Sequence, residues 1–224
     1  MDEIKKECYK GNLNTLLMAY TQTSGRGRNN NKWVSNLGNL FLSIKLNTLK
    51  ISNPLILNYI TGIVVYDTIK FFLEKNTNLY IKWPNDLLIN KKKIAGILID
   101  TTSRGNKISE LYIGIGINAK ISPAHLDYDT TCLKDENTIT ISRKKVLSKL
   151  IFYFNHWENV FKKNNFLYIA NCWMKRSLPI DSKISFKDNK KIINGIYKGI
   201  SETGSIRILI DNKECNFFNL ETIA

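Results

Sequence analysis

The sequence predicts an α+β protein, a mixed β-sheet backed by helices and followed by a small all-β unit. Between residues 14 and 121, short apolar, β-branched segments alternate irregularly with one long segment of helical period. From Arg143 to Asn165 that period returns, placing Val146, Leu150, Tyr153, Phe154, Trp157 and Phe161 on one face. After Pro179 the texture changes to short strands and turns, about 45 residues of them, enough for a small barrel. The expected units are therefore 1–178 and 179–224. A chain of 224 residues that is 43% hydrophobic can build a real core at that size.

Taken in order, residues 2–10 read as a short helix ended by Gly11, and 14–22 as a buried strand running into a glycine–arginine loop. LGNLFLSIKL, 37–46, is the next strand, so the loop joins the two. A helix beginning near Pro54 carries apolar residues at helical spacing to about Lys75. Three strands follow at 79–83, 86–90 and 93–102, the last two joined by a tight turn through Asn90, Lys91 and Lys92. SELYIGIGINAKI, 109–121, is a strand whose end is opened by glycines, and a shorter helix is expected over 166–177. KISFKD, IINGIYKGI, SIRILID and ECNFFNL are the strands of the C-terminal unit.

Composition excludes several classes. No apolar run approaches a membrane span, and MDEIKKECYKGN lacks the apolar stretch of a secretory signal. Cys8, Cys132, Cys172 and Cys215 are scattered without a CxxC pair, which reads as unpaired thiols of a cytoplasmic protein, with no zinc site and no disulfide frame. The formal charge of +14 is spread along a chain rich in Lys, Asn and Ile, so only local basic clusters count as evidence for an anionic partner. There is no GxSxG, HExxH or P-loop. Of the two histidines, His125 and His156, the second lies beside a helical apolar face and reads as a packing residue.

Three stretches are unusual. In TSGRGRNNNKW, Gly25 and Gly27 let backbone N–H groups approach an anion, Arg26 and Arg28 offer planar forks of donors, and Trp33 can cover a flat ligand. A mobile loop of this kind can close over a substrate. In YIKWPNDLLINKKKIAGILID, strand parity puts Ile81 and Trp83 on one face and Tyr80 and Lys82 on the other. Asn85 and Asp86 turn the chain, and Gly96 is costly in a strand unless something approaches its backbone. Taken alone, Lys82 reads better as an edge-strand guard against aggregation than as a catalytic group. IGIGIN, 113–118, fails the GxGxxG spacing because residue 119 is Ala, so no dinucleotide fold is expected. Gly114 and Gly116 instead leave room for a flat ligand, with Asn118 at the strand end. Chemistry run on cations and backbone donors, without a side-chain nucleophile, suits adenylation of a carboxylate by ATP.

QTSGRGRNNNKW, KWPNDLLINKKKIAGIL and IGIGIN in this order resemble the catalytic core of the biotin–protein ligases, over about residues 1–121. The C-terminal unit, with GISETGSIRI, resembles that family's SH3-like appendix. The resemblance implies a class II synthetase-like core of the monofunctional type, residues 1–178 binding biotin and ATP. Biotin and Mg-ATP would give biotinyl-5′-AMP and pyrophosphate, and a lysine of a biotin carboxyl carrier domain would then take the biotinyl group. It implies Lys82, Arg26 and Arg28 as catalytic residues. Gln22, Gly25, Gly27, Trp33, Asn85, Asp86, Gly96, Gly114, Gly116 and Asn118 would border biotin and nucleotide. No protein metal site is implied; Mg2+ would arrive with ATP.

Two departures stand out. The family loop carries further Arg and Gly where this chain has Asn29, Asn30 and Asn31. The family's Ser-Thr segment before the first helix is also absent, because the chain begins MDEIKKE, which reads as a truncated N-terminal edge. That beginning leaves no room for an N-terminal helix-turn-helix, so no DNA partner is expected, and no membrane; a homodimer stays open. The alternatives are a lipoate–protein ligase-like adenylating enzyme, a ligase that binds biotin without transferring it, and a basic nucleic-acid-binding module.

Overall fold

The computed structural model describes residues 1–7, 14–46, 55–104, 107–137, 141–188, 191–218 and 220–223. Helix α1 (Asp2–Glu7) precedes β1 (Thr15–Ala19) and β2 (Leu40–Leu46). Helix α2 (Leu55–Lys70) leads to β3 (Leu79–Lys82), β4 (Asp86–Ile89), β5 (Lys92–Arg104) and β6 (Lys107–Ile117). Helices α3 (Arg143–Lys163) and α4 (Phe166–Met174) follow. The chain closes with β7 (Lys183–Asp188), β8 (Lys191–Ile200), β9 (Ile206–Ile210), β10 (Lys213–Phe217) and β11 (Glu221–Ile223). The expected end of the first helix at residues 8–11, Cys8 and Pro54 lie outside the described residues.

Two sheets result, one in the order β1-β2-β6-β5-β4-β3 and one in the order β10-β9-β8-β7-β11. The α+β class is the expected one. The mixture of strand directions shrinks to two isolated parallel bridges, Ile81 with Ser177 and Lys93 with Thr130, while the named strands of the first sheet pair antiparallel. Short connections explain this: β4 and β5 are joined by Asn90 and Lys91 at φ 49° and 68°, a two-residue turn that returns the chain on itself.

Period two decides the faces. Ile81, Leu87, Ala95, Ile117 and Leu40 are register partners across five strands, and all are buried. Helix α2 lies over β3, β4 and β5. It is buried nearly all round, because α3 and α4 pack on its other side. Gly62 lets α4 approach α2 closely, since a Cβ there would sit 3.0 Å from the Trp173 Nε1. On α3, Val146, Leu150 and Trp157 are buried and Tyr153, Phe154 and Phe161 pack partly buried, the face expected from the sequence. His156 departs from expectation: it is exposed and meets the edge of Trp157.

Two polar nodes fix the assembly. The Asp67 carboxylate of α2 accepts from Arg176 Nε at 2.9 Å, from Arg176 Nη2 at 3.2 Å and from Trp157 Nε1 at 2.8 Å. The Arg176 carbonyl in turn accepts from the Ile81 N–H at 2.7 Å, so α2, α3, the turn after α4 and strand β3 share one node. At the other, Trp83 Nε1 donates to Tyr59 Oη at 3.3 Å, and that hydroxyl donates to the Gly204 carbonyl at 2.7 Å. Burial pushes the Tyr59 phenol well above its ordinary pKa and that of Tyr197 up to about 12.

Replacing Asp67 by Ala strands the Arg176 guanidinium and the Trp157 N–H together. It should lower stability by about 2–3 kcal/mol in urea unfolding, the cost of orphaning buried and half-buried donors. A change under about 0.5 kcal/mol, the range of neutral surface substitutions, would remove the node from the account.

Candidate functional site

On the face of the first sheet away from α2, one rung crosses the strands as Lys82, Asp86, Gly96, Gly116 and Phe41. A cavity of about 1120 Å³ opens above it. Of the residues expected at a site, Gln22, Arg26, Gly27, Arg28, Trp33, Lys82, Asn85, Asp86, Gly96, Gly114 and Gly116 line this one space. Residues from 22 to 116 are thus brought together by the sheet register.

The glycine–arginine segment folds as a small hairpin of its own. Trp33 N–H donates to the Gly25 carbonyl at 2.9 Å, Gly27 N–H donates to Asn31 O at 2.7 Å, and Arg26 bridges Lys32 between them. The segment read from the sequence as a mobile loop is paired with itself here. Gly25 lies outside the cavity lining; a side chain there would collide with the Trp33 carbonyl across the hairpin. Asn118 is likewise not a lining residue. It is 1% exposed, and its Nδ2 donates to the Thr131 carbonyl at 3.1 Å, so it anchors the 123–131 loop from behind.

The flat group against the strand glycines is Trp33 itself. A Cβ at Gly96 would lie 2.8 Å from the indole, and one at Gly116 would overlap it outright. Beside this stack, Lys93 Nζ bonds Asp86 Oδ2 at 2.7 Å and lies 5.4 Å from the Trp33 ring and 5.2 Å from that of Tyr128. Asn85 is a strap: its Nδ2 donates to the Ile97 carbonyl at 2.8 Å, and Ile97 N–H returns a bond to the Asn85 carbonyl at 2.9 Å. Three polar atoms of lining residues, Gln22 Oε1, Trp33 Nε1 and Asp86 Oδ1, are buried without a partner.

Lys82 also borders a second, smaller cavity of about 290 Å³, which runs between β3 and the C-terminal sheet past Lys91, Trp173 and Tyr197. Burial raises the Tyr80 phenol on that side. Among the described residues no group of three or more His, Cys, Asp or Glu could hold a metal ion. The sequence reading overlooked Lys93, the loop His125–Asp129, and the hairpin tip bearing Lys187 and Ile192, all of which line the larger cavity. Lys93 had a signal in the lysine run after the KWPND turn; the other two had none, being brought in by tertiary packing.

Residues 7–118 match the biotin/lipoate A/B protein ligase family. A biotin–[acetyl-CoA-carboxylase] ligase of Paracoccus denitrificans is 27% identical over 85% of this chain and 82% of its own length. The bifunctional ligase/repressor BirA of Salmonella typhimurium is 30% identical over 84% of this chain, which spans only 60% of that protein. Among solved structures, the biotin protein ligase of Aquifex aeolicus in complex with biotin and ATP superposes with a TM-score of 0.84 at 27% identity, covering 99% of this chain and 92% of the other.

Since Gly116 exists to seat an indole, Gly116→Ala should displace Trp33 and destabilise the protein by about 1–3 kcal/mol, the usual cost of overpacking. In a Trp33→Ala background the same change should cost far less. Equal costs in both backgrounds, read from urea unfolding of the four proteins, would show that the two do not meet.

Proposed function

We propose a function from one premise: this chain belongs to the biotin/lipoate A/B protein ligase family. It activates biotin with ATP as biotinyl-5′-AMP and transfers the biotinyl group to a lysine of a biotin carboxyl carrier domain of a carboxylase. The observation that supports this most directly is the position of Lys82. Its strand places it at the end of the rung that carries Asp86, Gly96 and Gly116, in the cavity bordered by Arg28. At about 1120 Å³ that cavity lies just above the roughly 300–1,000 Å³ range of single-ligand clefts, which suits two small molecules side by side.

The chemistry follows from charge. The biotin carboxylate attacks the α-phosphorus of ATP in line, the P–O bond to pyrophosphate breaks, and the lost electron pair leaves on pyrophosphate. Lys82 and Arg28 sit where negative charge gathers on the phosphate oxygens and the carboxylate, and stabilise it. In the second step the acceptor amine attacks the acyl carbon and AMP leaves with the former carboxylate oxygen. Mg2+ enters as the nucleotide complex, its ligands the phosphates and water, in keeping with a metal that usually binds through substrate phosphates. Gln22, Gly27, Trp33 and Gly114 line the space around the two substrates. The reading places the enzyme in the cytoplasm and gives it no role for DNA. No helix among the described residues is long and apolar enough to cross a membrane.

Biotin-dependent exchange of labelled pyrophosphate into ATP tests the first step, with lipoate as the competing acid. A rate with biotin well above that with lipoate is expected, and the reverse order would transfer the enzyme to the lipoate branch. Lys82→Ala should cut the exchange by about 10²–10³-fold, the loss typical of one electrostatic donor, with folding intact by circular dichroism.

Asn31 lines the cavity at the hairpin's far leg, where the family carries a cation in the resemblance drawn above. Asn31→Arg should tighten ATP about threefold to tenfold by adding a phosphate contact. Unchanged nucleotide affinity in a calorimetric titration would refute it.

A further inference from the structure

We infer that Asp100 and Asp2 are positioning residues whose carboxylates take the Arg26 guanidinium and latch the glycine–arginine hairpin onto β5 and α1. The inference deepens the ligase reading and rests on it for its effect on biotin. Arg26 Nη2 lies 2.9 Å from Asp2 Oδ1 and its Nη1 donates to Asp2 Oδ2 at 3.2 Å, a forked pair. The same Nη2 lies 3.6 Å from Asp100 Oδ2, which Lys5 Nζ also meets at 2.7 Å. An α1 acid, an α1 lysine, a β5 acid and the hairpin arginine thus form one network.

Strand parity places Asp100 on the site face. It follows Gly96 and Leu98 on the same side of β5, four residues and roughly 13 Å along from the glycine floor. The hairpin is therefore held at both legs. Trp33 presses its indole onto Gly96 and Gly116, and Arg26 is drawn to Asp2 and Asp100. Arg26 accordingly drops out of the group of cations expected to meet substrate, leaving Arg28 and Lys82. The pairs are half-exposed, with side chains 32–52% accessible, so each is weak alone. A weak latch suits a cover that must open on every turnover.

The hairpin carries its own reporters, because trypsin cuts after Arg28 and Lys32. In a D2N/D100N double variant, cleavage there should accelerate about threefold to tenfold, the opening expected when two modest ion pairs are lost. The global melting temperature should move by no more than about 2 °C, since half-exposed pairs contribute little to overall stability. The KM for biotin in pyrophosphate exchange should rise by a similar factor with kcat unchanged, and D100E should keep wild-type values. Raising ionic strength on the unmodified protein gives a second arm: screening should speed its cleavage and leave the double variant unaffected. Cleavage unaltered by either treatment, or a fall in kcat at constant KM, would overturn the latch. The protease readout needs neither biotin nor ATP. A protein inert in exchange but cut faster in the double variant would sink the ligase reading and leave the latch standing.

Discussion

The register between β3, β4, β5 and β6 is the constraint on which the site depends. Adjacent rungs of the sheet have opposite assignments: Ile81, Leu87, Ala95 and Ile117 face the helices, and Lys82, Asp86, Gly96 and Gly116 face the cavity. A slip by one residue in β3 would turn Lys82 under α2, and one in β6 would put an isoleucine where the indole sits. The hydrophobic effect therefore specifies the active face indirectly. Burying every second residue against α2 leaves its neighbours no choice but to point at the cavity, and the two-residue turn at Asn90 and Lys91 fixes the count.

Register alone would not hold β3, which is the edge strand of its sheet. Its outer side is covered where the Ile81 N–H meets the Arg176 carbonyl, and Arg176 is itself held by Asp67. Its C-terminal end is strapped by Asn58, whose Nδ2 donates to the Pro84 carbonyl at 2.6 Å, and by Asn85 on Ile97. Trp83 then connects the strand through Tyr59 to the C-terminal sheet. The side chains surrounding Lys82 in the sequence KWPND are thus largely scaffold. Asn85 spends its amide on the Ile97 carbonyl, Trp83 its N–H on the Tyr59 hydroxyl and Asp86 a carboxylate oxygen on Lys93, while Lys82 borders the cavity.

Much of this was legible before any coordinates, for a physical reason. Parity, turn chemistry and unfavourable glycines are local signals, and each marked a real feature: Lys82 opposite Ile81, the Asn90–Lys91 turn, and Gly96 under a close neighbour. Long-range partners left no local mark. Nothing in the sequence near Arg26 says that Asp100, 74 positions away, will lie 3.6 Å from its guanidinium. Asn118 misled for the complementary reason, since an asparagine after a glycine-rich strand looks like a ligand until its amide is seen bonded to the carbonyl of Thr131. The glycine–arginine segment read as a mobile loop, whereas cross-hairpin backbone bonds at Gly25 and Gly27 pair it with itself.

Charge shows how local geometry overrides composition. The net +14 of the chain is diffuse and names no partner. Among the described residues, however, seven Lys or Arg and four Asp line the cavity, an excess of three positive charges confined to one space. That excess is distributed unevenly. Arg26 and Lys93 are held by carboxylates at 2.9 and 2.7 Å, and their work is to fix the hairpin and to brace the Trp33 stack. Lysines 32, 91 and 187 form no ion pair with the described acids, and they sit on three separate elements around the rim. A field from cations on the hairpin, the β4–β5 turn and the C-terminal sheet converges on an anion only when all three are in place. Closure of the hairpin, rather than the presence of any one arginine, is therefore what gathers this positive charge into one space.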